Sequence, residues 1–307
     1  MSPPSERTTL GILFMLAFCA FAPVMDAMAK ATPEVVPVSQ ILVYRFAIQV
    51  AILLPLAGFL GHSLRMSLRD VWLHLARAAA LVAATGCFFT ALRYMPIADA
   101  ISIFFVEPFV LILMGAVFLA EPVGWRRLTA CAVGFGGALL VIRPSFSDLG
   151  PVAFLPLVTA ALFSIYMLMT RAMARRLHPL VLQGHTALAA TLLILPPLLI
   201  FNGTGNLYFD PVWPEGRAVW TLLGVGVVAT ISHLFLTYAL RLAPAGTIAP
   251  LQYLEIVGAT VIGYLAFGDF PTPLTWVGIA IIVASGLYVF ERERRLELRA
   301  KPPAPPI

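Results

Sequence analysis

The sequence predicts an all-α polytopic membrane protein, with ten transmembrane helices arranged as two inverted five-helix repeats. Three observations carry this. Of the 307 residues, 60% are hydrophobic and only 11% are charged, with a mean hydropathy of +0.93; soluble domains carry roughly 25% charged residues. Apolar runs near the ~20 residues that cross a bilayer recur along the whole length. One stretch of the chain also repeats itself half a chain later.

The apolar runs place spans at 10–30, 36–60, 74–94, 97–119, 126–143, 151–171, 180–201, 218–240, 245–267 and 273–290. The first follows a single Arg7 and ends in AMAK, as a cleaved leader does, but its length and Asp26 argue for a retained helix. Asp26 and Lys30 stand four apart on it, the spacing of a side-chain pair on one helix face. The second span holds Arg45 in YRFAIQ, the only arginine placed inside a span. At about one-third depth it either snorkels to the outer face or pairs with a carboxylate or an anionic group of a substrate. The fourth carries Glu107 followed by Pro108, whose ring opens the local backbone bonding. The glycines at 134, 136 and 137 in the fifth span, and at 224 and 226 in the eighth, read as packing surfaces. Pro96, Pro144, Pro179, Pro244 and Pro271 mark boundaries, where a missing backbone donor is tolerated.

Ten spans put both termini on one side of the membrane. That side collects fifteen Lys and Arg, including Arg65, Arg69 and Arg77 around the start of the third span, against four opposite. The positive-inside rule then assigns both termini to the cytoplasm. The longest outer loop, 202–217, carries Tyr208, Phe209 and Trp213, residues suited to the membrane interface. The pI near 9.4 reflects short basic clusters between spans, so nucleic acid is not an expected partner. Cys19, Cys87 and Cys131 lie in apolar spans without metal-ligand spacing and read as packing residues. No metal, no cofactor and no catalytic residue is expected. The tail ERERRLELRAKPPAPPI continues the last helix briefly and then has no core to bury.

Residues 91–121 lie over 239–269 without a gap. ALRYMPIADAISIFFVEPFVLILMGAVFLAE faces ALRLAPAGTIAPLQYLEIVGATVIGYLAFGD. The Ala-Leu-Arg turns, Pro96 and Pro244, Glu107 and Glu255, Gly115 and Gly263, and the acidic Glu121 and Asp269 all match at a constant offset of 148. The two copies stand five spans apart, an odd number, so they run in opposite directions through the membrane. Inverted repeats are a mark of secondary transporters, whose substrate sites lie at the repeat interface near mid-membrane. The division is then 1–145 for spans one to five, 146–291 for spans six to ten, and 292–307 for a charged, proline-rich cytoplasmic tail.

These features, above all PLQYLE and GYLAFGDFP, resemble the EamA-type members of the drug/metabolite transporter superfamily. The resemblance covers almost the whole chain. It implies a ten-helix fold around a central cavity, and secondary-active movement of small organic metabolites across a bacterial inner membrane. It is similar to the branch of riboflavin and S-adenosylmethionine importers. LQYLE stands where the adenosylmethionine group would carry a more basic motif, so riboflavin or a similar flat heterocycle is the expected cargo. S-adenosylmethionine or an amino acid is the alternative within the family. From another class, a lipid-modifying membrane enzyme would need an acidic or His-rich cluster at one interface, and the carboxylates are scattered instead. The partners expected are the small-molecule substrate, the lipid bilayer and, as a candidate, a second copy of the chain.

Polar groups at bilayer depth are costly and are the candidates for function. Glu255 leads, with Gln252 on its face and Tyr253 offset; its alternative is a purely interhelical hydrogen bond. Glu107 is its counterpart in the repeat. Arg45, Tyr166, Tyr238 and Phe105, beside Phe104, complete the candidate substrate set, the aromatics as stacking surfaces. Glu255, Glu107, His185 and His233 are the candidates for proton coupling, the histidines because their ordinary pKa lies near neutrality.

Overall fold

The computed structural model describes residues 4–110, 113–114, 125–174, 176–243 and 249–300. Among them the regular elements are helical: α1 (Pro4–Lys30), α2 (Val38–Phe59), α3 (Leu68–Leu92), α4 (Ile97–Phe104), α5 (Trp125–Leu149), α6 (Leu155–Ala174), α7 (Pro179–Ile200), α8 (Arg217–Leu242), α9 (Glu255–Phe267) and α10 (Pro273–Ala300). A 3-10 turn, Gly150–Phe154, leads into α6, and another, Ala249–Leu254, leads into α9. Among the described residues, six helices are long and apolar enough to cross a membrane: α1, α2, α3, α6 with its 3-10 turn, α7 and α8. The expected ninth and tenth spans appear as shorter apolar segments, Leu251–Phe267 and Pro273–Tyr288. The repeat residues Gly115, Glu121 and Pro244 lie outside the described residues.

Several boundaries depart from an apolar count for local reasons. α3 starts at Leu68, six residues before the expected span. Ser67 caps it: its hydroxyl accepts from Asp70 N at 3.2 Å and donates to Asp70 Oδ2 at 2.7 Å, the reciprocal logic of a capping box. The earlier start brings Leu68–Leu73 into the helix. α5 runs through Pro144 to Leu149, where a boundary was expected, and α10 continues through the charged stretch to Ala300.

The two helices bearing the matched glutamates are both interrupted. α4 ends at Phe104, residues 105–106 form a turn, and helix resumes at 107–110. Pro108 explains the lapse, because it has no N–H to give to the carbonyl of Phe104. In the other segment the 3-10 turn precedes α9, whose first residue is Glu255. Each glutamate therefore opens the helical stretch that follows a break.

The principal pairings come in matching sets. α1 lies along α8, as α3 lies along α6; α2 packs on both α7 and α8, and α3 on α7; α5 pairs with α10. The α5–α10 contact needs glycine: a Cβ on Gly137 would stand 3.0 Å from Gly278 O. This leaves α1, α2, α3, α4, α6, α8 and the α9 segment around one cavity.

Candidate substrate cavity

The cavity is walled by Phe18 and Ala22 of α1, Phe88 and Phe89 of α3, Phe104 of α4, and Phe163 of α6. Its polar wall is Asp26, Arg45, Thr85, His233, Gln252 and Glu255. It encloses about 70 Å³, room for a handful of waters. Both halves of the sequence contribute, so the site exists only when distant segments meet.

Arg45 is 1% exposed and does not snorkel. Its Nη1 donates to Thr85 Oγ1 at 2.5 Å, and its Nη2 stands 2.6 Å from His233 Nε2. Arginine has no acceptor, so His233 accepts at Nε2 and carries its proton on Nδ1. The guanidinium carbon also lies 5.8 Å from the ring of Phe89. Arg45 Nε and Asp26 Oδ1 are buried and have no hydrogen-bond partner among the described residues.

Behind His233 lies a second buried polar cluster. Tyr166 Oη accepts from Arg77 Nη2 at 3.0 Å and from Gln183 Nε2 at 3.1 Å, with His233 Nδ1 at 3.5 Å. Arg77 Nε donates to Thr170 Oγ1 at 2.8 Å, and Nη1 donates to Thr186. Arg77 is 0% exposed, and its hydrogen-bond partners among the described residues, Thr170, Leu182 O, Thr186 and Tyr166, are all neutral. Arg45 is therefore not the only arginine inside a helix, and the basic-residue count falls from fifteen to fourteen against four. The cluster ends at His74, whose Nδ1 is 3.0 Å from Thr186 Oγ1 and whose ring sits edge-on to His185 at 5.4 Å.

Of the expected residues, Glu255, Gln252, Arg45, His233 and Phe104 line the cavity. The others stand away from its wall. Glu107 lies 3.5 Å from Ser164 Oγ, which also reaches Ala160 O at 2.8 Å. Phe105 and Tyr253 meet edge-to-face at 5.2 Å, with the Tyr253 hydroxyl seated against Gly286. Tyr166 and His185 belong to the second cluster, and Tyr238 stacks on Phe14 at 5.2 Å.

The expected Asp26–Lys30 pair does not form. Lys30 Nζ binds Asp269 Oδ2 at 2.6 Å and Met95 O at 3.1 Å, while Asp26 turns to the cavity. The helical spacing permits both orientations, and the tertiary partner of Lys30 decides between them. Asp26, Thr85 and Arg77 were missed as site or core residues. Asp26 was assigned to Lys30, and Arg77 was counted with the cytoplasmic charges although position 77 falls inside the expected span 74–94.

At the end of the bundle holding the 60–67 and 176–178 connections, the rings of His62 and His178 stack at 3.8 Å. His178 precedes α7, and its pKa is lowered from the ordinary 6.5, first by desolvation and then by His62 and the Arg241 charge.

The profile of the EamA-like transporter family matches residues 9–143 and again 150–290. A riboflavin transporter of Rhizobium johnstonii is 30% identical over 226 residues, covering 74% of this chain and 72% of its own. A riboflavin transporter of Vibrio cholerae is 29% identical over 300 residues, covering 95% and 96%. The pseudopaline exporter CntI of Pseudomonas aeruginosa is 29% identical over 276 residues, covering 89% and 93%. A solved crystal structure superposes with a TM-score of 0.64 at 20% identity, covering 95% of this chain and 99% of that one, which is a likeness of fold.

Proposed function

This chain belongs to the EamA-like transporter family, and from that premise we propose that it carries riboflavin or a similar flat heterocycle across a bacterial inner membrane by alternating access. It is a membrane transporter, not an enzyme. The observation that carries the cargo reading is the cavity, where phenylalanines from four helices face a small polar set that includes Asp26, Arg45 and Glu255. Aromatic walls bind a planar ring over its faces, and the polar groups orient it.

The volume of about 70 Å³ is too small for a tricyclic ring. Loading therefore needs a wider state, as alternating access requires two states of similar energy. The interrupted helices beginning at Glu107 and Glu255 supply backbone that can yield at the cavity. The matching pairings, α1 with α8 and α3 with α6, support two inverted halves of five spans, 1–145 and 146–291. The charge count of fourteen against four supports cytoplasmic termini. Glu255 on the cavity wall and Glu107 behind it are the carboxylates we assign to proton coupling.

Uptake of labelled riboflavin into proteoliposomes, with and without an imposed pH gradient, tests this reading. Labelled S-adenosylmethionine and amino acids in the same assay decide the alternatives. Glu255→Gln is expected to cut uptake at least tenfold and Glu107→Gln to weaken its dependence on the gradient. If both variants transport at the parental rate, the assignment of these residues is wrong.

A further inference from the structure

The cavity holds two polar atoms that the protein leaves unsatisfied. Asp26 is 3% exposed and Arg45 is 1% exposed, yet Asp26 Oδ1 and Arg45 Nε have no hydrogen-bond partner among the described residues. Both residues line the cavity. A buried polar group without a partner is costly, so two of them on residues that line one cavity are a feature that a ligand in a wider state can satisfy.

Their chemistry narrows the ligand. Asp26 Oδ1 offers an acceptor, and Arg45 Nε offers an N–H. The two terminal nitrogens of Arg45 already hold Thr85 and His233. An N–H and an acceptor that line one cavity complement an N–H next to a C=O on one edge of a ring. Phe88, Phe89, Phe104 and Phe163 flank that space and suit a flat conjugated ligand.

We propose that Asp26 and Arg45 read the imide or lactam edge of a neutral planar heterocycle, Asp26 Oδ1 accepting the ring N–H and Arg45 Nε donating to the adjacent carbonyl. This rests on the cavity being the cargo site. It adds the ligand edge and the two residues that select it.

The test compares each ring with its own N-methylated form. Binding to the purified full chain is followed by quenching of ligand fluorescence, using riboflavin and lumichrome and the derivatives of each methylated at the imide nitrogen. The parent rings are expected to bind at least tenfold more tightly than the methylated ones. Asp26→Asn is expected to weaken the parents and bring the two forms within about threefold. Asp26→Ala, which removes the acceptor and opens space for the methyl group, is expected to favour the methylated forms. Equal binding of parent and methylated rings by the unaltered protein overturns the proposal, as does binding of no ring in the set. Binding of lumichrome without riboflavin retires the vitamin as cargo and supports the edge. The ligand-side comparison needs no variant, so a misfolded Asp26 substitution cannot obscure it.

Discussion

Arg45 Nη2 lies 2.6 Å from His233 Nε2 while Nη1 lies 2.5 Å from Thr85, so one side chain of α2 bridges α3 and α8. Thr85 and His233 are separated by 148 residues, the same offset that relates Glu107 to Glu255. The guanidinium is a rigid planar fork, and an ammonium is a single point charge that cannot span both partners. Arg45→Lys is expected to lower stability in detergent by about 2–4 kcal/mol, from lost hydrogen bonds to a charged group, and to cut uptake at least tenfold. Thermal unfolding and proteoliposome flux measure the two effects; parental values for both would refute the bridge.

Arg77 is expected to behave as a core residue. Its donors satisfy Tyr166, Thr170 and Thr186, and Arg77→Ala removes these bonds while leaving a cavity. The expected loss is roughly 3 kcal/mol, the scale for breaking buried bonds to a charged group. Arg65→Ala, in the exposed connection before α3, should change stability by less than about 0.5 kcal/mol. Equal and small effects at both positions would return Arg77 to the surface.

Lys30 and Asp269 join the end of α1 to the link between α9 and α10 at 2.6 Å. Both side chains are partly exposed, 17% and 28%, so the coupling energy in a double-mutant cycle should be no more than about 1 kcal/mol. Its position, bridging two elements that flank the cavity, predicts a larger effect on transport rate than on stability. Charge reversal at either site should slow uptake, and the exchanged pair Lys30→Asp with Asp269→Lys should recover part of it.

His178 gives a pH dependence with a definite sign. Burial, then the neighbouring His62 ring and the Arg241 charge, hold its pKa below the ordinary 6.5. The unfolded chain binds the proton first as pH falls, so stability from this site is complete above about 6.5 and is lost below it. Melting temperatures in detergent should decline below pH 6.5, and His178→Gln should flatten that part of the profile. An unchanged profile would remove His178 as its source.

Much of the architecture was legible because bilayer-spanning helices are written in composition. The runs that became α1, α2, α7 and α8 were found within a few residues at most boundaries, apart from the early start of α1. The α3 boundary was missed because a hydrophobicity count ignores capping, and Ser67 with Asp70 extends the helix past the apolar run. Glu255, Gln252, Arg45 and His233 were legible as polar residues in apolar surroundings. Asp26 was not, since the i, i+4 spacing offered Lys30 as a partner, and only Asp269, 239 residues further along, takes Lys30 away.

The sequence by itself determined a helical membrane transporter, through its apolar runs, the matched stretches 148 residues apart and the scarcity of charge. Hydrophobicity and periodicity act locally, and a linear pattern records them. Only the tertiary structure decided which polar groups face one another. It turned Asp26 into the cavity, fixed Arg45 between Thr85 and His233, buried Arg77 among neutral partners and set Tyr166 behind the site. Those outcomes depend on which helices meet and which face each presents, because a buried polar group is governed by the partner that reaches it in space.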